Sequence, residues 1–250
     1  RAGYVWTGWD KTADNVTEDM VINAVYAYPT LPSEVKDVSK YDYACSDDPN
    51  DTSAYTFGEL YSIIKMGRTA EYLPEYSEVK MVLSTDVVTD TSLVLDLHSI
   101  GHYELADESG MSKADFYMVG VLAAGRRMNP TNSNVGGWDE SEMREWLNET
   151  LYPALPCHWR QLIAPSITLA SKGGQSATIV ESIDYLRLIS HAELGFDVAA
   201  VPYKNEISTD AAEVAFTKYT DNNSKIKKTF NGEGAAQAYW TRSADACSSS

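Results

Sequence analysis

The stretch from Gly136 to Leu151 carries the local signals of a helix start and of a core-facing helix. Asp139 is placed to cap this helix, because its carboxylate can accept from the free N–H groups of the first turn, and Glu142 can reach back to it. Trp138 and Met143 occupy the positions of a hydrophobic staple. Apolar or small residues then recur at three- and four-residue spacing, at Met143, Trp146, Leu147, Thr150 and Leu151.

The other side of this helix is polar, and Glu140 and Arg144 have the spacing of a favourable i,i+4 pair. The pattern therefore predicts an amphipathic helix that packs against strands, with Trp146 and Leu147 buried. Contacts with a ligand would then use other surfaces.

Composition sets limits on the class of protein. A chain of 250 residues with 44% hydrophobic content can bury one sizeable core, with or without a small appendage. The formal charge of −16 repels phosphate backbones and anionic lipid, so we expect no nucleic-acid partner. No run of about 18 apolar residues is present, so we expect no membrane insertion.

Aromatic residues with a polar group dominate, with 16 Tyr and 6 Trp against 5 Phe. Such residues suit half-exposed sheets and binding surfaces, although Tyr is also common in ordinary strands. The three cysteines, Cys45, Cys157 and Cys247, are far apart and form no CxxC spacing. An odd number argues against a disulfide framework and leaves a single bridge open.

Other segments show shorter signals. Thr56 and Glu59 form a second capping box, and Gly67 can end that helix in a left-handed conformation. Ser190 and Glu193 form a third capping box, which predicts a short helix ending at Gly195. Further predicted helices are Cys157 to Ala164 and Asp210 to Tyr219, and Asp115 to Ala124 fits either helix or strand. Predicted strands are Met20 to Tyr26, Val79 to Leu83, Ser92 to Leu97, Tyr185 to Ile189 and Ala238 to Ser243.

Two segments could be read as metal sites. Asp96, His98, His102 and Glu104 have zinc-capable side chains, but Gly101 interrupts the run and no compact zinc motif is present. We predict histidines bonded to backbone there. The acidic loop Ser46 to Asp51 could hold calcium, but it lacks the glycine and distal glutamate of an EF-hand loop, so we predict a solvated loop. We therefore predict no metal and no cofactor.

The N-terminal residues resemble a known surface repeat. Gly3 to Asp10 and Val16 to Tyr26 contain Gly-x-x-x-x-Gly-Trp and Val-Thr-x-Asp-Met elements. They are similar to the closing half of the small β-grasp-like repeat of bacterial surface and internalin-type proteins. This resemblance implies export by a bacterium. It also implies that residues 1–29 are the end of a repeat, that 30–54 is a linker and loop, and that 55–250 is the main domain.

The main body resembles an uncharacterised domain of secreted proteins from gut bacteria. The matching residues are Thr56 to Glu59, Gly67 to Tyr72, Arg127 to Asn129, Gly136 to Arg144, Leu147 and Asn148, Ala154 to Pro156, Asp184 to Ser190, Glu193, and Tyr239 to Ala244. The chain departs from that family at Asp96 to His102, where the usual pattern is more acidic. The Trp-x-Arg-Ser segment is similar to one in C-type-lectin-like domains. This likeness implies an α+β fold with an antiparallel sheet and a few short helices, whose final strands lie beyond Ser250 or are missing.

The pairing of a stalk-like repeat with a Trp- and Tyr-rich domain leads us to expect an extracellular or cell-surface module that binds or displays rather than catalyses, with a glycan or a surface protein as ligand. Tyr239, Trp240 and Arg242 are the candidate ligand-binding residues. A secreted carbohydrate-active hydrolase using acidic residues is the alternative, and a structural adhesin spacer is another. No GxSxG, HExxH, GxGxxG or Walker pattern is present, so we predict no catalytic residues.

Overall fold

The structure is a computed structural model that describes residues 5–11, 19–27, 30–174, 176, 178–195, 215–221, 223–225, 227–228 and 236–243. The predicted helix from Asp210 to Tyr219 begins outside these residues, and Cys247 also lies outside them. Cys45 and Cys157 are free thiols.

The described chain is an α+β protein, as predicted. Its helices are α1 (Phe57–Lys65), α2 (Thr69–Tyr72), α3 (Glu142–Glu145), α4 (Tyr152–Ala154) and α5 (Cys157–Leu162), with a 3-10 turn at Val38–Lys40. Its strands are β1 (Val5–Trp9), β2 (Ala24–Ala27), β3 (Cys45–Ser46), β4 (Glu78–Val82), β5 (Ser92–Ser99), β6 (Asp115–Met118), β7 (Ser166–Ser171), β8 (Ile179–Asp184), β9 (Lys227–Lys228) and β10 (Ala236–Gln237). None of the helices in the described ranges is long and apolar enough to cross a membrane.

The central sheet has four strands in the order β3, β4, β5, β6. β3 is parallel to β4, whereas the β4–β5 and β5–β6 pairs are antiparallel. β4 alternates between buried and half-buried residues, and β5 is buried along most of its length. Residues 30–54 take part in this body, because they supply β3 and the buried residues Ala44, Cys45 and Ala54.

Local capping signals fix α1 as predicted. The Thr56 hydroxyl accepts from the Glu59 N–H, and the Glu59 carboxylate accepts from the Thr56 N–H, so the capping box is complete. Tyr55 and Leu60, which have the spacing of a hydrophobic staple around this cap, are fully buried. Gly67 follows the helix at φ +67°, the left-handed conformation that a side chain disfavours.

The central helix forms, but its cap is not the predicted one. Ser141 is the N-cap, and its hydroxyl accepts from the Arg144 N–H, so the prediction of Asp139 as the cap was wrong. Glu142 does not reach back; it pairs with Arg127 at 3.0 Å. The predicted Glu140–Arg144 pair is also replaced, since Arg144 binds Asp184.

The middle of this helix is π-helical from Trp146 to Leu151, between α3 and α4. The Tyr152 N–H donates to the carbonyl of Leu147, five residues earlier, which is the hydrogen bond of a π-turn. Pro153 has no N–H to continue an α-helical ladder, which is consistent with the irregularity at this place. Trp146 and Leu147 are buried in the main core, as predicted.

β7 and β8 form an antiparallel hairpin that lies against the start of the central helix. Gly137 and Gly173 permit this contact. A Cβ on Gly137 would lie 1.8 Å from the Ser171 carbonyl oxygen, and one on Gly173 would lie 1.7 Å from that of Asn134. Both glycines also have positive φ. Gly173 and Gly174 lie in the connection that follows β7.

Two predicted strands do not form. Tyr185 to Ile189 is irregular, because the Asn148 side chain occupies its backbone groups: Oδ1 accepts from the N–H groups of Tyr185 and Leu186, and Nδ2 donates to the Leu186 carbonyl. The segment from Ala238 to Ser243 is also irregular, and the strand beside it is only Ala236–Gln237. Asp115 to Met118, which the sequence left open, is a strand.

Candidate functional site: the segment Tyr239 to Arg242 and the Glu193 network

The three candidate residues differ in how far they are buried. Arg242 is 2% exposed, and its backbone N–H donates to the Ile189 carbonyl. Tyr239 is half-buried against a small core, and its hydroxyl donates to the Lys225 carbonyl at 2.8 Å. Trp240, between these two anchors, is 53% exposed. The three residues are neighbours in the chain, but of these three side chains only Trp240 is largely accessible to a ligand.

Trp240 is exposed, but its indole N–H is hydrogen-bonded to the protein. Its indole N–H donates to the carbonyl of Arg126 at 2.8 Å, which fixes the orientation of the ring. The Arg126 guanidinium lies 4.3 Å from the ring centre of Trp146, so the loop that holds Trp240 is tied to the central helix. Trp240 is therefore an exposed aromatic ring whose N–H is anchored to the loop before the central helix.

Arg242 belongs to a buried network centred on the carboxylate of Glu193. Its guanidinium donates two hydrogen bonds to Glu193, at 2.7 Å and 3.1 Å, and a third to the Leu188 carbonyl. The Glu193 oxygens also accept from the Ser190 N–H at 2.7 Å and from the Tyr103 hydroxyl. His102 Nε2 lies 3.0 Å from Glu193 Oε1.

The charge of Glu193 is stabilised inside the protein. Burial by itself would raise the pKa of Glu193, but the Arg242 charge and the hydrogen bonds from His102, Arg242 and Tyr103 lower it far below its ordinary value. Glu193 is thus an ionised structural carboxylate. It also completes the predicted capping box with Ser190, although the residues that follow, His191 to Gly195, form a turn rather than a helix.

Asp96 and His98 form a second buried polar pair on β5. His98 Nε2 lies 2.8 Å from Asp96 Oδ1, but without the alignment of a hydrogen bond, and the other Asp96 oxygen is paired with Lys218. Burial, and to a lesser degree the charge of Lys227, lowers the pKa of His98 to about 3, so its ring is neutral. His102 and Glu104 lie beyond the strand, so the four zinc-capable residues do not converge.

Aromatic rings surround His98 and His102. Tyr117 stacks on His98 with ring centres 5.0 Å apart, and Phe216 contacts both histidines, at 5.2 Å and 4.6 Å. The Tyr117 and Tyr103 hydroxyls contact each other, which links this aromatic layer to Glu193. The prediction that these histidines bond to backbone was wrong, because the rings of His98 and His102 contact other side chains.

The acidic loop at Ser46 to Asp51 is bound by the protein itself. Lys80 lies 3.0 Å from Asp48 and 2.9 Å from Asp51. Asp47 accepts from the Trp159 indole at 2.7 Å and contacts His158 at 3.1 Å. Burial opposes the ionisation of Asp47, but the hydrogen bonds from His158 and Trp159 keep its pKa below the ordinary value. Within the described ranges, no three His, Cys, Asp or Glu side chains are placed to share a metal ion.

A third network, centred on Asp184, explains much of the sequence pattern around the central helix. Asp184 is fully buried and accepts from the Trp138 indole at 2.8 Å, from Arg144 Nε at 2.6 Å and from the Ser182 hydroxyl at 3.0 Å. Asn148 adds the backbone hydrogen bonds described above. These side chains hold the central helix to the β7–β8 hairpin.

Several of the motif residues quoted above lie in two buried networks. Trp138, Arg144 and Asn148 contact Asp184, and Ser190 and Arg242 contact Glu193. A family model, described as a domain of unknown function (DUF6273), matches residues 84–250. The chain belongs to the DUF6273 family. No curated protein and no solved structure matches the chain significantly.

The DUF6273 match begins between β4 and β5, so the central sheet of this chain extends upstream of the family match. The resemblance to an uncharacterised domain is confirmed. The likeness to C-type lectins, the surface repeat and the bacterial surface origin stay predictions, as do the proposed domain boundaries.

Sequence reasoning missed the partners of the buried charges. Lys218, Tyr103 and Asp184 gave no local signal, because each acts on residues 36 to 122 positions away. Asp184, Glu193 and Arg242 each lie in one of the family-like motif segments, and that position is the sequence signal that could have drawn attention to them.

Proposed function

We propose that this DUF6273 protein is an extracellular, non-catalytic binding module whose ligand is a neutral glycan or a surface protein. The observation that carries the proposal is Trp240, a half-exposed indole held by its own N–H and anchored on either side by Tyr239 and Arg242. A rigid, amphipathic ring provides large contact area at low entropic cost, which suits stacking on the apolar face of a sugar.

Charge and chemistry narrow the ligand. The protein carries a formal charge of −16, so an anionic ligand would be repelled at long range. The carboxylates of Glu193, Asp184 and Asp47 are already engaged by cations or N–H donors of the protein. This supports binding rather than acid–base catalysis as the role of the domain.

The test is a glycan and surface-protein array with the recombinant chain, run with and without a calcium chelator, followed by titration of the strongest hit. Trp240→Ala should weaken binding at least about tenfold, because the ring is the contact, while Trp240→Phe should retain part of it. The matched control is Tyr41→Ala, which removes another exposed ring, 38% accessible, from a different segment.

Two outcomes would overturn the proposal. One is a ligand whose affinity is the same for the parent and for Trp240→Ala. The other is release of shortened products from a bound glycan, which would favour the hydrolase alternative. Loss of binding on chelation would instead assign a calcium requirement that the contacts of Asp47, Asp48 and Asp51 do not suggest.

A further inference from the structure

The β7–β8 hairpin is reversed in polarity. The side that faces the protein carries Ser166, Thr168, Ser182 and Asp184, all buried. The side that faces solvent carries aliphatic residues: Ile183 is 54% exposed, Ile179 is 47% exposed and Leu169 is 42% exposed. A half-buried antiparallel sheet ordinarily shows the opposite arrangement, with apolar residues inside.

The polar residues on the inner face have a structural role, but that role does not explain the aliphatic residues on the outer face. Asp184 and Ser182 face inwards to bind Trp138 and Arg144. Nothing in that network requires aliphatic residues outside, where Thr or Lys would serve a strand equally well. Adjacent exposed aliphatic residues on a sheet typically mark an interaction surface.

On the outer edge of β8, the Ile183 carbonyl accepts from Arg144 Nη2 at 3.2 Å, and the edge is otherwise free of backbone partners among the described residues. β8 has no strand neighbour other than β7 in the part of the chain that the structure describes. A two-stranded ribbon is marginal, and an uncovered apolar edge invites the addition of another strand. An added strand would cover the β8 edge and extend the apolar face at the same time.

The charge of the β8 edge indicates which kind of partner strand would fit it. Glu181 lies on the outer face between Ile179 and Ile183, directly opposite Leu169. The Glu181 carboxylate has no ion-pair partner among the described residues. The nearby cations are occupied, since Arg144 binds Asp184 and Arg187 donates to Ser166, Ile167 and Asp184.

We propose that the outer edge of β8 binds an extended segment of a partner protein in which aliphatic, basic and aliphatic side chains alternate on one face. These side chains would lie beside Ile179, Glu181 and Ile183, as cross-strand pairs. Small or polar residues would occupy the intervening positions. This surface is separate from Trp240, so the inference does not depend on the proposed function.

The probe is a fluorescent synthetic peptide, Ser-Ile-Ser-Lys-Ser-Ile-Ser, compared with the same peptide carrying Glu in place of Lys. The Lys peptide should bind the parent saturably and at least about tenfold more tightly than the Glu peptide. Glu181→Lys should reverse this preference, which non-specific attraction to an acidic protein would not do. Ile183→Ser should weaken binding of the Lys peptide without changing the charge.

Controls separate folding from binding. Val35→Ser removes an exposed valine, 53% accessible, from the segment that precedes α1, and should leave the affinity unchanged. Thermal melts of all variants should coincide with the parent to within a few degrees. The proposal is overturned by the absence of saturable binding or by peptide preference that ignores the charge at position 181. Self-association that Ile183→Ser abolishes would also overturn it, since a second copy would then occupy the edge.

Discussion

At the scale of single residues, the protein places charge in its interior and neutralises it there. Glu193 and Arg242 are both almost fully buried and joined by two hydrogen bonds. A carboxylate in such a position is tolerated only while its partner is present, because an unpaired buried charge costs far more than a missing contact.

Arg242→Ala should therefore lower the free energy of unfolding by about 3–5 kcal/mol, because Glu193 would lose its counter-ion. Urea denaturation monitored by fluorescence measures the change. Arg68→Ala is the matched control: Arg68 pairs with Glu71 at the surface, where an ion pair contributes only about 0–1 kcal/mol. Equal losses in the two variants would contradict a structural role for the buried pair.

His98 should make stability depend on pH. Its pKa is about 3 in the folded protein, against about 6.5 when unfolded, so the unfolded state takes up the proton first as pH falls. The stabilisation is complete above about pH 6.5 and is lost as pH decreases towards the folded value. At pH 5 the free energy of unfolding should be lower by about 2 kcal/mol because of His98, since each pH unit below about 6.5 removes about 1.36 kcal/mol.

The comparison is between the parent and His98→Phe, since a phenyl ring suits the aromatic surroundings. The parent should lose more stability than the variant between pH 7 and pH 5, a window above the titration of unfolded glutamate. Effects of the other histidines cancel in the difference. Parallel curves for the two proteins would show that His98 is not held neutral.

At the scale of elements, local rules predicted α1 and failed at the central helix. Thr56 and Glu59 were sufficient for α1, because both partners of the capping box lie within one turn. At the central helix, Asp139 and Ser141 are both good caps, and a tertiary contact decides between them. The Asp139 carbonyl and carboxylate are used by Arg144, which leaves Ser141 to cap.

Ser141→Ala should therefore lower stability by about 1 kcal/mol, in the range for loss of an N-cap, and Asp139→Ala by less. Chemical denaturation of the two single variants measures the difference. The order would be reversed if Asp139 were the cap.

Gly137→Ala should be among the most damaging small substitutions in the chain. The new Cβ would meet the Ser171 carbonyl, and φ at this position is +60°. A loss above about 2 kcal/mol is expected, from steric overlap and backbone strain together. Gly58→Ala, in α1 with open space around it, is the control and should be neutral or stabilising by up to about 1 kcal/mol. Thermal or urea unfolding gives both values.

Distant side chains account for what the sequence did not predict. Tyr185 to Ile189 has the composition of a strand, but Asn148, 37 residues before Tyr185, takes the backbone groups that a neighbouring strand would use. The same applies to the candidate site: the motif residues were identifiable, but the burial of Arg242 depends on Glu193, and no periodicity reveals that pairing.

At the scale of the whole molecule, the folded body is larger than the DUF6273 match. The match begins at residue 84, whereas β4 pairs with β5 through five residues, from Glu78 to Val82. The core likewise includes Tyr55, Leu60 and Ile63 of the preceding segment.

A fragment of residues 84–250 should therefore fail to unfold cooperatively, because it exposes the edge of β5 and removes core residues of α1. Circular dichroism melts and hydrogen exchange of the fragment and of the full chain make the comparison. Protection of the β5 and β6 amides equal to that in the full chain would contradict this expectation.

The distance in sequence between Glu193 and Arg242 has a consequence for biosynthesis. These residues are 49 positions apart, so the acid leaves the ribosome well before its counter-ion. During that interval, burying the carboxylate would be unfavourable, and the layer of rings around His102 and Tyr103 has no reason to close over it. We expect a nascent chain arrested before Arg242 to remain sensitive to protease in this region, and one extended beyond it to become resistant.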